Sequence, residues 1–404
     1  MNTFSASGRG DSPRILAFTQ GAPFSRHSFS GSNFGLLRGL QNDGALVHAE
    51  DIEVYGWRRR AIMLRHWHPD HEVWKHRFRA GRRLRQAREN RAALGAARHD
   101  PNSYNTVLQM GAEFASHAAV NCPVYSYHDN TAKISSRATA HSFTQHATLR
   151  QKQLRIEAER RIYHANRGVF VFSEFVKRSL VHDYGVDPER VTVVHSGVSI
   201  EETELSDQPA PGKFERPKVL FIGRDFERKG GPEVLAAFAE VKKQIPDATL
   251  VIAGCSPKIA QPDVRVLGFI DQRTIENQQR ILNLYREASL YVMPSHFEPF
   301  GIPFCEAMLF HTPCIGTETN AIPEMVKNDV TGYVVPVGNV EALRDRMLQV
   351  LSNPAAARTM GSAGYEFARE RFLWRCVAAK MKQRMAANMI EDAAAQPRKR
   401  RASA

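Results

Sequence analysis

Short apolar runs alternate with longer amphipathic stretches along the chain, and the pattern is sharpest in its second half. There "KVLFIG" (218–223), "ATLVIAG" (248–254), "VRVLGFI" (264–270), "LYVMPS" (290–295), "PCIGT" and "TGYVVPV" read as strands. Between them "GPEVLAAFAEVKKQI", the segment around "NQQRILNLYREA", "GIPFCEAMLF" and "VEALRDRMLQVLS" carry helical spacing. Continuously apolar strands separated by helices predict a parallel sheet covered on both faces. The first half repeats the theme less clearly, with strands at "RILAFTQ" (14–20), "CPVYSYHDN" (122–130), "GVFVFS" (168–173) and "VTVVHSGV" (191–198). After the first of these, a loop holding Gly21, Gly31 and Gly35 runs into an amphipathic helix, a βα unit. A long helix is expected around 145–166. The fold class is therefore α/β, with two doubly wound domains facing a cleft and ligands at the carboxyl ends of the strands.

Periodicity lapses in "ELSDQPAPGKFERP" (204–217), which carries three prolines and a glycine. The expected organisation is a flexible leader at 1–12, a first domain at 13–205 and a linker at 206–217. A second domain follows at 218–372, then a final helix at 373–390 and a disordered basic tail at 391–404, where "RKRR" repels itself. The polar start, "MNTFSASGRGDSP", lacks the apolar core of a signal peptide.

A content of 43% hydrophobic and 24% charged residues is that of a soluble globular protein, and no apolar run reaches 18 residues. The five cysteines are scattered and form no C-x-x-C pair, which suggests free thiols in a reducing compartment and points to the cytoplasm. Charge changes the picture more. Residues 1–200 hold 28 Lys and Arg against 17 Asp and Glu, whereas the remainder hold 27 against 25. Much of the excess lies in 57–98, where thirteen basic residues are interleaved with Trp57, Trp67, Trp74 and Phe78. Three readings of that segment stand side by side: an anionic membrane surface, nucleic acid, or a solvated helical excursion. No nucleic-acid module accompanies it, so no specific nucleic-acid partner is expected, and association with the inner face of a membrane is preferred. "HWHPDHEVWKH" (66–76) gathers histidines but matches no metal-ligand spacing, so the expected metal count is none.

Two stretches carry chemistry. "GRDFERKG" (223–230) follows the first strand of the second domain. Gly223 lets backbone approach a ligand there, while Arg224 and Lys229 supply a fork and a point charge suited to a diphosphate. "EPFGIPFCE" (298–306) follows a later strand. Gly301 marks a helix start, so the amides around Phe300, Gly301 and Ile302 form an anion or hydroxyl site. Glu298 precedes the helix and Glu306 lies more than a turn inside it, so the carboxylates need not flank one bond as a glycosidase pair must. Apolar neighbours around Glu306 imply a partner or ligand for its charge.

These stretches, with "TPCIGT", "IPEMV" and "TGYVVPVGN", resemble the nucleotide-sugar domain of the large E-x7-E family of retaining GT-B glycosyltransferases, glycosyltransferase family 4, over roughly 168–372. In the first domain "YSYHDN" is similar to the family's histidine loop, and "FVFSEFVKRSLVHDYGVDPERVTVVHSGV" resembles its "SE…GV…NGV" region. The resemblance implies two Rossmann-like domains and a final helix that crosses back to the first. It also implies roles. Arg224 and Lys229 would hold the donor diphosphate, Glu298 the transferred sugar, Phe300 and Gly301 sugar and phosphate through their amides, and Glu306 the ribose. His128 would contact the sugar and Gly31 would lie beside the diphosphate. The implied reaction is metal-independent transfer of a hexose, with retention, from a nucleotide-sugar co-substrate to a hydroxyl of a glycan or lipid-linked acceptor. No other cofactor is called for. The sequence departs from the family at Pro299, at Asn320–Ala321 and at His311, where glycines are usual. Two other classes remain in view: a non-catalytic basic adaptor binding nucleotide or nucleic acid, and a phosphorylase-like enzyme on the same fold.

Overall fold

The computed structural model describes residues 12–25, 31–79, 81–137 and 147–402, with the side chains of His76 and 396–402 outside that description. The chain divides into two compact units. One runs up to Ser199 and resumes at Trp374; the other spans Ile200–Leu373. All but the last residue of the expected leader lies outside the described residues.

Among the described residues the first unit holds a six-stranded parallel sheet built from β1 (Ile15–Thr19), β2 (Leu46–Asp51), β3 (Thr106–Met110), β4 (Val124–His128), β5 (Gly168–Val171) and β6 (Val191–Val193), in the order β2-β1-β3-β4-β5-β6. Four of these follow the apolar runs. The sequence pattern did not mark β2 or β3. β2 is the edge strand, half-buried along most of its length, so "LVHAED" shows no apolar run. β3 is fully buried but short and carries Gln109, whose side chain closes the following turn onto the carbonyls of Gly111 and Phe114.

The second unit repeats the design with β7 (Lys218–Ile222), β8 (Thr249–Ala253), β9 (Val264–Val266), β10 (Leu290–Val292), β11 (Cys314–Thr317) and β12 (Gly332–Val335), ordered β12-β11-β10-β7-β8-β9. Every pairing is parallel. The helix Gly231–Gln244 shows why its segment folds as it does. Pro232 and Glu233 occupy its first turn, Lys242 and Lys243 its last, and Val234, Ala237, Phe238 and Val241 form one buried stripe. Strand order reverses between β7 and β10, so the crevice beyond their carboxyl ends is where a doubly wound sheet accepts a ligand.

Three sequence expectations are revised. The presumed linker 206–217 belongs to the second unit and is pinned there. Phe214 is buried, Asp207 accepts from the Tyr365 hydroxyl at 2.8 Å, and the Lys213 ammonium is only 2% exposed. The final helix, expected at 373–390, begins at Trp374 and runs past 390, and the helix before it ends at Arg369. Phe372 and Leu373, in the break, are buried, and the chain changes units there. That last helix, Trp374–Ala402, takes in 391–402 of the segment expected to be disordered, the final two residues of which lie outside the described residues.

The last helix is part of the first unit. Val377, Ala378, Met381 and Met385 are buried at helical spacing. Asn388 donates to the Tyr125 hydroxyl at 3.0 Å, and Arg167 pairs with Glu391 and Asp392 at 3.1 Å each. The Trp374 indole lies where side chains on Gly35 or Gly197 would stand, so Gly35 serves packing rather than a ligand.

Candidate functional site

The second unit gathers most of the sequence-predicted residues at the crevice between β7 and β10. β7 delivers Gly223, and the turn after it carries Arg224 through Lys229. Gly230 caps the next helix in a left-handed backbone (φ 78°), and a Cβ there would collide with the Pro294 carbonyl at the end of the β10 segment. This close approach sets Lys229 against the loop that follows β10. The Lys229 ammonium, 8% exposed, bonds directly to Oε2 of Glu298, itself 9% exposed. Arg228 adds a second positive charge at 3.7 Å from the same oxygen, and donates to the Phe297 carbonyl at 2.6 Å and to Asp225 at 3.2 Å. A buried ion pair gains stability only when both partners remain, so removing either leaves a costly lone charge.

Glu298 is also held by its backbone. Its N–H donates to Asn320 Oδ1 at 3.0 Å, and the Thr319 hydroxyl donates to the same oxygen at 3.0 Å. Asn320 has φ 51° and His311 φ 57°, both left-handed. The departures from the family pattern at these positions are thereby explained. Glycine suits such a backbone best, and asparagine is among the few residues that visit it routinely. At 320 the asparagine side chain adds a bond that glycine lacks. At 311 the imidazole compensates by meeting the Ser206 carbonyl at 2.8 Å and stacking on Tyr365.

Past Glu298, Gly301 (φ 101°) caps the helix Ile302–Met308, and a Cβ there would come within 2.8 Å of Phe304 and 3.3 Å of the Glu298 Cγ. In its first turn Pro303 has no N–H and Phe304 donates to the Gly301 carbonyl at 3.0 Å, which leaves the Ile302 N–H without an intrahelical carbonyl to meet. Phe300 is buried against Phe372, so its ring belongs to the core and its backbone is what it can offer. Ile302 is partly exposed at the helix start. Glu306 sits on the same helix in a contrasting setting. The Tyr285 hydroxyl donates to Oε2 at 2.8 Å, and burial raises the carboxyl's pKa while that bond lowers it. Glu298 and Glu306 both act on the buried Tyr291 phenol, raising its pKa after burial and Cys314 have done so. Arg224 stands apart from the paired charges: it is exposed, with its guanidinium 5.0 Å from the Phe269 ring.

The remaining two predicted residues lie in the first unit. His128 ends β4 and is 3% exposed. Its ring meets Tyr163 edge-on at 5.0 Å, its Nε2 has no hydrogen-bond partner among the described residues, and burial pushes its pKa down to about 3. The imidazole is therefore neutral near pH 7. Gly31, with φ 84°, precedes the helix Ser32–Asn42.

The sequence reading missed Arg228, Asn320, Tyr285 and His296, whose Nε2 meets Glu233 at 2.7 Å. Arg228 was within reach, since it stands beside Lys229 in the quoted motif. Tyr285 and Asn320 are 21 and 22 residues from the carboxylates they serve and carry no local signal. Among the described residues no cluster of His, Cys, Asp and Glu could hold a metal, and no helix is long and apolar enough to cross a membrane.

Comparison with known proteins follows this division of the chain. The family model described as "Glycosyl transferases group 1" matches residues 204–367, and "Glycosyltransferase Family 4" matches 36–202. A D-inositol 3-phosphate glycosyltransferase of Segniliparus rotundus is 30% identical over 213 residues, 49% of this chain and 47% of that protein. The chain spans about half the length of the curated relatives it matches. Among solved structures, the sucrose-phosphate synthase of Thermosynechococcus elongatus superposes with a TM-score of 0.64 at 18% identity, covering 91% of this chain and 97% of the other. Anabaena HepE in complex with UDP and glucose gives 0.61 at 14% identity, covering 93% and 99%. The fold they share with this chain is GT-B.

Proposed function

Because the chain belongs to the glycosyltransferases, family 4 in its front half and group 1 in its back half, we propose that it moves a hexose from a nucleotide-sugar to a hydroxyl of a glycan or lipid-linked acceptor, with retention and without a metal. The observation that carries this reading is the Lys229–Glu298 pair, set beside a helix start at the point where strand order reverses. Lys229 and Arg224 face the donor diphosphate and stabilise the charge that grows on the leaving oxygen. Glu298, oriented by Lys229 and Asn320, takes the sugar hydroxyls. The amides at Phe300, Gly301 and Ile302 receive sugar and phosphate, and Glu306 takes the ribose. Gly223 and Gly31 leave room for the diphosphate, and neutral His128 contacts the sugar.

In the transfer step the bond from the sugar's anomeric carbon to the diphosphate oxygen breaks, and the bond to the acceptor oxygen forms on the same face. The acceptor's proton passes to the departing phosphate oxygen, which balances charge and gives retention. The carboxylates bind and orient throughout and take no proton.

The test is release of nucleoside diphosphate from a panel of nucleotide-sugars, begun with UDP-glucose because HepE has been solved with it. Turnover that survives chelator and yields a product of unchanged anomeric configuration is expected. An inverted product overturns retention, loss of turnover with chelator overturns metal independence, and a panel with no donor bound or cleaved overturns the whole reading. The acceptor panel includes inositol phosphate beside lipid-linked glycans, since the curated relative is named for that acceptor.

The same reading places the protein in the cytoplasm, against the inner face of a membrane. Trp57 (74% exposed), Leu64 (66%) and Trp67 (61%) share one surface region with exposed Arg58, Arg60 and Arg65. Apolar side chains that insert and arginines that meet anionic headgroups favour such a surface. Co-sedimentation with anionic vesicles that the triple change Trp57→Ser, Leu64→Ser, Trp67→Ser leaves unaltered would refute it.

A further inference from the structure

Tyr285 has no place in the reaction just described, yet it is fixed from three directions. Its ring is 1% exposed and lies parallel to Phe310, with centroids 6.0 Å apart. Its carbonyl, in the last turn of the helix Ile275–Glu287, accepts from the buried Lys213 ammonium at 2.8 Å. The same ammonium reaches the Arg286 carbonyl at 3.1 Å and the Thr312 hydroxyl at 2.9 Å. Its hydroxyl donates to Oε2 of Glu306 at 2.8 Å. The other carboxylate oxygen, Oε1, makes no hydrogen bond among the described residues and is not enclosed. A partly buried carboxylate with one oxygen tied and one open is preorganised to accept a single ligand hydroxyl.

We propose that Tyr285 is a positioning residue for donor recognition: it fixes Glu306 so that Oε1 alone is presented to a ribose hydroxyl, while Lys213 holds the helix end from which Tyr285 reaches. The inference rests on the reading of Glu306 as the ribose-binding carboxylate. Tyr285 acts through Glu306 and touches neither sugar nor diphosphate. Deleting its hydroxyl frees the carboxylate to rotate and removes a donor that favours its charged form. Selectivity for a ribose hydroxyl should fall, with little effect on the reacting carbon.

The experiment is calorimetric binding of UDP, GDP and ADP and of their 2′-deoxy and 3′-deoxy forms to the full chain, with Tyr285→Phe and Glu306→Gln. The wild type should bind the preferred diphosphate roughly tenfold to hundredfold more tightly than one deoxy form, the range of a charge-assisted hydrogen bond. In Tyr285→Phe that preference should shrink to about threefold through loss of the ribose form, with the deoxy affinity kept within about twofold. The acid limb of its affinity-pH profile should also move to higher pH. Tyr285→Phe keeps the stacked ring, so the fold should stand; a thermal midpoint within a few degrees of wild type checks it. Should Tyr285→Phe not fold, Lys213→Met is measured instead and must show the same selective loss. A wild-type preference retained in the variant, or an equal loss for ribose and deoxy forms, overturns the proposal. If Glu306→Gln also keeps the preference, the ribose reading of Glu306 falls with it. If Glu306→Gln loses the preference while Tyr285→Phe keeps it, only the role of Tyr285 falls. No binding of any of the three diphosphates overturns the donor reading itself.

Discussion

At the carboxyl edge of the first unit's sheet, charges are spent on one another. Arg88, 7% exposed, bonds to Glu53 beyond β2 at 2.5 Å and to Glu113 beyond β3 at 2.9 Å. Arg155 stands 3.7 Å from Glu113 and 3.4 Å from Glu159, whose other oxygen accepts from the Tyr184 hydroxyl at 2.6 Å. At the same edge of the second unit the pairing is less complete. Lys229 and Arg228 hold Glu298, Tyr285 holds one oxygen of Glu306, and Arg224 stays exposed. The contrast teaches that two six-stranded parallel sheets can use their open ends differently, one as a charged clamp on its own loops and the other as a set of half-satisfied groups awaiting a ligand. Local charge density does not reveal which; the partners do.

Breaking the clamp should have the largest effect. Arg88→Met leaves Glu53 and Glu113 only the looser contacts to Arg59 (3.5 Å) and Arg155 (3.7 Å) and should cost about 3 kcal/mol of unfolding free energy, read from urea titration; a loss below about 1 kcal/mol would remove the contrast. Glu298→Gln, which removes the carboxylate charge but keeps an oxygen for the buried Lys229 ammonium to donate to, should do the opposite. Turnover should fall about a hundredfold to a thousandfold while the thermal midpoint moves by only a few degrees. Equal damage to turnover and stability would make Glu298 part of a clamp too.

Lys213 sharpens the comparison, being a buried amine of the second unit whose hydrogen bonds go to its own fold rather than to a ligand. Burial pushes its pKa down to about 7, against roughly 10.4 unfolded. Between those values the unfolded chain holds more protons, so the stability contribution is lowest below pH 7 and rises with pH towards about 10. Relative to Lys213→Met, the wild type should gain on the order of 2 kcal/mol between pH 7 and 9, measured as paired denaturation curves. A gap that is flat or narrows with pH would contradict this.

The smallest effect is expected at Asn320. Asn320→Gly keeps the backbone and loses the bond to the Glu298 amide, so turnover should fall about three- to tenfold. Asn320→Ala adds left-handed strain of about 1 kcal/mol and should lower stability as well.

The second unit was largely legible because its buried strands carry uninterrupted apolar runs and its glycines sit at strand ends. Glu298 before the helix and Glu306 within it follow from the position of Gly301 alone. What could not be read were contacts made across the fold. Asn320 looked like a defect in a glycine pair until its φ and its bond to Glu298 were known. Lys213, in a proline-rich stretch, looked like linker. In the first unit β2 was hidden because an edge strand is only half-buried and needs no apolar run, and β3 because Gln109 interrupts its apolar run while folding back on the turn. The charged segment 57–98 remained ambiguous for the same reason: thirteen basic residues do not announce that the buried Arg88 is the one that binds both Glu53 and Glu113.

The return of the last helix to the first unit also fixes an order of events during synthesis. Everything the second unit needs has been translated once Leu373 is made, whereas Tyr125 waits for Asn388, 263 residues later. The unit that begins first is thus finished last, and until then Gly35 and Gly39 lack the helix that packs on them. A chain truncated between those points would carry a completed second unit joined to an open first one.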